Sequence, residues 1–114
     1  MIYVMKGDDT DFGGAQNVKV RIVTDNVTDG LSAHVELLGW SQDFASVPET
    51  GELNVSIPHA ATSGFPLGGA YGRLWLTDQD GRVRTLSTRL PFFVTNDIAV
   101  AYSADAEHEI EVEW

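Results

Sequence analysis

The chain has 114 residues, 17 acidic against 7 basic and no cysteine, for a formal net charge of −10. That length makes one domain of ordinary size, and an apolar share of 43% is enough to fill its core. Ten surplus negative charges exclude nucleic acid as the main partner, because phosphate binding needs clustered Lys and Arg, and a chain without thiols has no disulfide, thiol nucleophile or cysteine-ligated metal.

Met1–Lys6 reads as a short apolar strand. Its apolar run is shorter than the ~7–15 residues of a secretory core, and no run approaches the ~20 that span a bilayer. We therefore expect synthesis in a cytoplasm without a signal peptide, and no membrane partner. Asp8, Asp9 and Asp11 follow beside Gly7, Gly13 and Gly14. From Asn17 to Thr24 the period is two, with Val18, Val20 and Ile22 on one face and Lys19 and Arg21 on the other, as a half-buried strand requires. Ala33–Leu38 repeats the pattern briefly, a single turn of helix fits Ser41–Phe44, and Glu52–Ile57 alternates again. Gly64–Gly72 is rich in glycine, but neither Lys-Ser/Thr nor a helix follows it, so it reads as a loop and not as a phosphate cradle.

The clearest hairpin comes next: Tyr71–Thr77, the turn Asp78–Gly81, then Arg82–Leu86. Asp78 caps the turn through its side chain, and Gly81 supplies the positive φ that such a loop needs. Ile98–Tyr102 is apolar on both faces and reads as a strand buried on both. Glu107–Trp114 alternates strictly, with Glu107, Glu109, Glu111 and Glu113 opposite Ile110, Val112 and Trp114, the pattern of an edge strand protected by charge. Turn residues such as Asp29-Gly30, Gly39, Pro48, Gly51 and Pro58 cut the chain into pieces of roughly 8–12 residues. The expected fold is all-β: an antiparallel immunoglobulin-like β-sandwich of about seven or eight strands, although a small barrel shares the same alternation. We expect one domain over residues 1–114, with 1–94 forming the sandwich and 95–114 a C-terminal extension that ends in the acidic edge strand.

Little points to a reaction centre. His34, His59 and His108 coexist with many Ser and Asp, but no Gly-x-Ser-x-Gly elbow is present, and the histidines read as ordinary surface or rim residues. Asp78 and Asp80 open like a calcium loop, yet the twelfth position holds Arg89 where a Glu is needed. Carboxylates alternating along one strand do not converge on one ion. The acidic clusters therefore read as turn caps and solvated faces, and we expect no catalytic, metal or cofactor-binding residues.

The candidate contact surface is more informative. With Leu74 and Leu76 facing the core, Tyr71, Arg73 and Trp75 share the opposite face, and Tyr, Arg and Trp together are the composition of interface hot spots. In the alternative reading Trp75 lies inside, covered by the second sheet. Residues 71–94 are net positive, through Arg73, Arg82, Arg84 and Arg89. The acidic strand carrying Glu109, Glu111 and Glu113 is expected to pack near Arg82 and Arg84, in the same subunit or an adjacent one. Trp114 needs a covering surface, from the chain or from a neighbour.

The short strand leading into Met5-Lys6-Gly7-Asp8-Asp9, then Phe12, and later Gly69-Ala70-Tyr71-Gly72-Arg73-Leu74-Trp75-Leu76-Thr77-Asp78-Gln79-Asp80-Gly81-Arg82 and Leu90-Pro91-Phe92-Phe93-Val94 resembles the immunoglobulin-like N-terminal domains of phage and prophage baseplate and tail-fibre proteins. The resemblance covers roughly residues 1–94 and brings no catalytic residues with it. Lys6 stands where Arg is commoner in those domains, and they continue into long structural or receptor-binding regions, so a small accessory piece of a virion fits this length better. The resemblance implies a non-enzymatic structural or adaptor module, incorporated into a virion and bound to other virion proteins or to copies of itself. The alternative expectation is a carbohydrate-binding module that stacks a glycan on Tyr71, Trp75 and Trp40.

Overall fold

Branched and aromatic residues at every second position bury one face of an extended chain, and among the described residues that alternation produces eight strands. The computed structural model describes residues 1–12, 18–103 and 108–114, so Asn17 and Glu107, expected to begin strands, and Gly13 and Gly14 lie outside the described residues. Strands β1 (Ile2–Met5), β2 (Lys19–Val23), β3 (Ser32–Leu37), β4 (Trp40–Phe44) and β5 (Glu52–Asn54) precede the one-turn helix α1 (His59–Thr62). Strands β6 (Gly68–Thr77) and β7 (Val83–Thr95) form the long hairpin, and a second turn of helix, α2 (Ile98–Ala101), leads to β8 (Glu109–Glu113).

The strands form two sheets, ordered β1-β7-β6-β3-β4 and β5-β2-β8. Val4, Val35, Leu74 and Phe92 of the larger sheet meet Val20, Ile22, Leu53 and Val112 of the smaller in one core. The protein is thus an all-β, two-sheet sandwich. Among the described residues no helix is long and apolar enough to cross a membrane.

Two ladders correct the expectation of a wholly antiparallel sandwich. β1 runs parallel to the end of β7, with Ile2 opposite Phe92, and β8 runs parallel to β2, with Lys19 opposite Glu109 and Val23 opposite Glu113. Alternation fixes the face a side chain takes and is blind to strand direction. The boundary expected near Val94 does not divide the fold either. β7 continues through Thr95, and β8 is an edge strand of the smaller sheet with Val112 in the core.

Three local expectations are also corrected. Ser41–Phe44 belongs to β4, not to a helical turn. There Trp40 and Phe44 pack toward the core, and Gln42 bridges the sheets: its side chain donates to the Asn54 carbonyl (3.3 Å) and accepts from the Ser56 N–H (2.9 Å). Ile98–Ala101 is helical because Asp97 caps it, accepting from the Ala99 N–H at 2.9 Å; Ile98 is exposed and Ala101 is its buried residue. β6 begins at Gly68, inside the stretch read as a loop.

The loop after β1 is clamped against the segment after β5. The buried Thr10 hydroxyl accepts from the Ile57 N–H (2.9 Å) and donates to the Val55 carbonyl (3.3 Å). Asp9 accepts from the His59 N–H (2.7 Å), Thr62 donates to the Asp8 carbonyl (2.8 Å), and Lys6 donates to the Phe65 carbonyl. Asp8 also accepts from the Tyr102 hydroxyl, which ties α2 to the same loop. Desolvation first, then this hydrogen bond and the Asp8 charge, push the Tyr102 hydroxyl up to about 12. The folded chain therefore holds that proton where the unfolded chain, near pH 10, has released it. The contribution is complete below about pH 10 and disappears as pH rises toward 12. Urea unfolding midpoints at pH 9 and 11.5 should show the wild type losing stability between them more steeply than Tyr102→Phe.

The β3–β4 turn carries a misfit. Leu38 and Gly39 both have positive φ, 51° and 85°, the two-residue turn that favours Asn-Gly. A left-handed Leu costs roughly 1–2 kcal/mol, and Leu38 is exposed, so no packing opposes its replacement. Leu38→Asn should raise the melting temperature by ~4 °C, read by differential scanning calorimetry.

Candidate interaction surface

β6 lies at the centre of the five-stranded sheet. Gly72, Leu74 and Leu76 turn inward and are buried, which sends Tyr71, Arg73 and Trp75 to the outer face. Gly72 is needed there: a Cβ would stand 2.9 Å from the Phe92 ring and 3.0 Å from the Glu36 carbonyl oxygen. Trp75 is on the outside, so the reading that places it under the second sheet is corrected. Trp40, expected beside it as a stacking platform, occupies the opposite face, in register with Leu37.

The neighbouring strands complete the face. His34 of β3 is in register with Trp75, and the two rings stack at 5.1 Å with 19° between their planes. The Arg73 guanidinium stands 4.8 Å from the Trp75 ring centre, and that of Arg89 stands 5.7 Å from Tyr71. Such contacts hold both arginine and ring in place. Toward one end Tyr3 of β1 and Phe93 of β7 meet at 5.7 Å. Tyr71 is 65% exposed and borders a shallow cavity of about 280 Å³ with Met1, Gly69 and Pro91.

His34 is locked by two further contacts. Its Nδ1 lies 2.7 Å from the Asp43 carboxylate and its Nε2 2.9 Å from the Thr77 hydroxyl. With Nδ1–H donating to Asp43, Nε2 accepts from Thr77. Acyl-transfer relays use the same carboxylate–imidazole–hydroxyl order, together with donors that converge on an oxyanion. Here the three residues sit on β4, β3 and β6 of one sheet face, with the Asp43 side chain 77% exposed. The chain of bonds ties three strands and holds the imidazole flat against Trp75. The charges divide by strand: Arg73 and Arg89 lie on β6 and β7, Glu36 and Asp43 on β3 and β4.

The other expected residues gather elsewhere. Arg82, Arg84 and Trp114 line a cavity of about 170 Å³ with Leu31, Leu76 and Val83. The chain itself thus supplies cover for Trp114, which packs against the core and whose backbone N–H reaches the Val23 carbonyl at 3.0 Å. The end of the chain is thus brought beside Arg82 and Arg84 at Trp114. An ion pair joins Glu111 of the acidic strand to Arg21 of β2, at 3.7 Å, where parallel pairing sets Lys19 and Arg21 beside Glu109 and Glu111. Arg82 turns back on its own hairpin, contacting Asp78 at 2.6 Å and Asp80 at 3.7 Å. The Arg82 backbone N–H is the main cause holding the Asp78 carboxyl below its usual range, and the Arg82 side chain and the Asp80 N–H add to it against desolvation.

Among the described residues no three His, Asp or Glu side chains converge as a metal ion requires. His34, Glu36, Asp43, Thr77 and Arg89 were missing from the expected surface. The alternation Ala33-His34-Val35-Glu36 places His34 and Glu36 outward, but only the register of β3 against β6 shows that they adjoin Trp75 and Arg73. Comparison with protein families, curated proteins and solved structures finds no match for this chain.

Proposed function

We propose that the chain is a non-enzymatic structural or adaptor module of a phage-type assembly, an immunoglobulin-like sandwich that works through the outer face of its five-stranded sheet. One observation carries this reading: the exposed Tyr71, Arg73 and Arg89 and the half-buried Trp75 form an aromatic–arginine platform on the outer face, braced by its neighbours. Trp, Tyr and Arg dominate protein–protein hot spots, and side chains already held in place lose little freedom on docking. The immunoglobulin topology is supported by a five-stranded sheet with β6 and β3 at its middle, positions that the F and C strands take in variable-type domains. β8 departs from that order, since the last strand of the chain lies beside β2. The test is to induce the source strain and purify the released particles. The chain should co-sediment with tail-bearing particles, and its absence from them overturns the assignment.

A glycan partner is the second reading, favoured by the exposed Tyr71 ring. Against it, Arg89 stands over that ring, both Arg73 and His34 engage Trp75, and Trp40 faces inward. A glycan array should give no signal that depends on Trp75; one abolished by Trp75→Ala in a folded chain reverses the order of the two readings.

A further inference from the structure

Resting on that reading, we propose that the partner of the outer face is a second copy of the chain, docked face to face about a two-fold axis that runs along the strands between β6 and β3. The face is divided into halves of opposite sign, with Arg73 and Arg89 on β6 and β7 and with Glu36 and Asp43 on β3 and β4. A two-fold axis lying in the contact plane, parallel to the strands, exchanges β6 with β3 and β7 with β4. Each basic half then covers the acidic half of the other copy, and Arg73 meets Glu36 twice. Two copies that each carry a net charge of −10 repel on approach, and the paired Arg73–Glu36 contacts of this arrangement offset that repulsion.

The middle of the contact is the Trp75–His34 stack, the most rigidly braced part of the face. The axis overlays β6 on β3 and β7 on β4, and the six residues of β3 and five of β4 extend ~17–20 Å under four strands that occupy ~19 Å, roughly 300–400 Å² per partner, the size of a weak pair and below the ~800 Å² of a standard interface. Two-fold pairing uses the face up, so assembly through it closes at a dimer.

Arg73 and Glu36 are also cross-strand neighbours within one chain, so the decisive experiment mixes two variants. The full chain, Arg73→Glu and Glu36→Arg are compared by sedimentation velocity at ~100 μM, with circular dichroism melts to establish that each is folded. The wild type should sediment at twice its 12.4 kDa. Each variant alone should be monomeric, because like charges then face each other across the contact. The equimolar mixture should return to the dimer, because opposite charges now meet between chains while like charges remain within each. Should Arg73→Glu fail to fold, Arg73→Ser reads the same loss of dimer. A wild type that stays monomeric, or a dimer that neither substitution weakens, overturns self-pairing. Neither result touches the adaptor assignment, whose own failure is the chain's absence from purified particles.

Discussion

Gly51→Ala should leave little or no cooperatively folded protein, with a loss of about 3 kcal/mol or more. Two costs coincide at this position. Its φ is +73°, and a Cβ there would stand 2.1 Å from the backbone carbonyl oxygen of Ile22, a distance no side-chain rearrangement relieves. The Gly51 carbonyl also accepts from the Ile22 N–H at 2.9 Å, so backing away from the clash breaks the bond that fastens this turn to β2. Gly81→Ala is the control. Its φ is +79° but nothing lies within 4 Å of the added carbon, so it should lose only about 1 kcal/mol, the left-handed penalty alone. Urea denaturation of the two variants separates close approach from backbone conformation.

Ending the chain at residue 107 should have a comparably large effect. β2 then loses its five-residue parallel ladder with β8, and the core loses Val112 and the packing of Ile110 and Trp114. Burying aliphatic and indole side chains of this size contributes about 1.5–3 kcal/mol each, and a domain has only about 5–15 kcal/mol in all. The truncated chain should melt at least ~15 °C lower or bind a hydrophobic dye as an expanded state. Glu111→Lys tests the charge alone and should cost well under 1 kcal/mol, because the Arg21–Glu111 pair is surface-exposed at 3.7 Å.

The two experiments touch what the sequence makes legible and what it hides. Strand positions, the Asp78–Gly81 turn and the opposite faces of Leu74 and Trp75 follow from alternation and turn chemistry, which act over two to four residues. Pairing is a different kind of information. Nothing local states that Lys19 and Arg21, near the start, run parallel to Glu109 and Glu111, near the end. Each strand shows its own charged face and not its neighbour, so the Arg21–Glu111 pair is invisible from either segment alone. The interaction face was half visible in the same way. Tyr71, Arg73 and Trp75 lie on one strand and could be read together, whereas the contribution of His34, Asp43 and Thr77 needs two registers at once. Ile98–Ala101 shows the opposite case: an apolar run reads as a buried strand, whereas the Asp97 cap turns the chain into a helix.

Hydroxyl-radical footprinting of the full chain at ~1 μM and at ~100 μM asks directly which surface docks. Oxidation of Tyr71 and Trp75 should fall at the higher concentration, while that of Trp114 and of Phe12, 79% exposed, should not change. Protection of Trp114 with Tyr71 and Trp75 unaltered would move the contact to the C-terminal strand and remove the outer face of the five-stranded sheet from the mechanism.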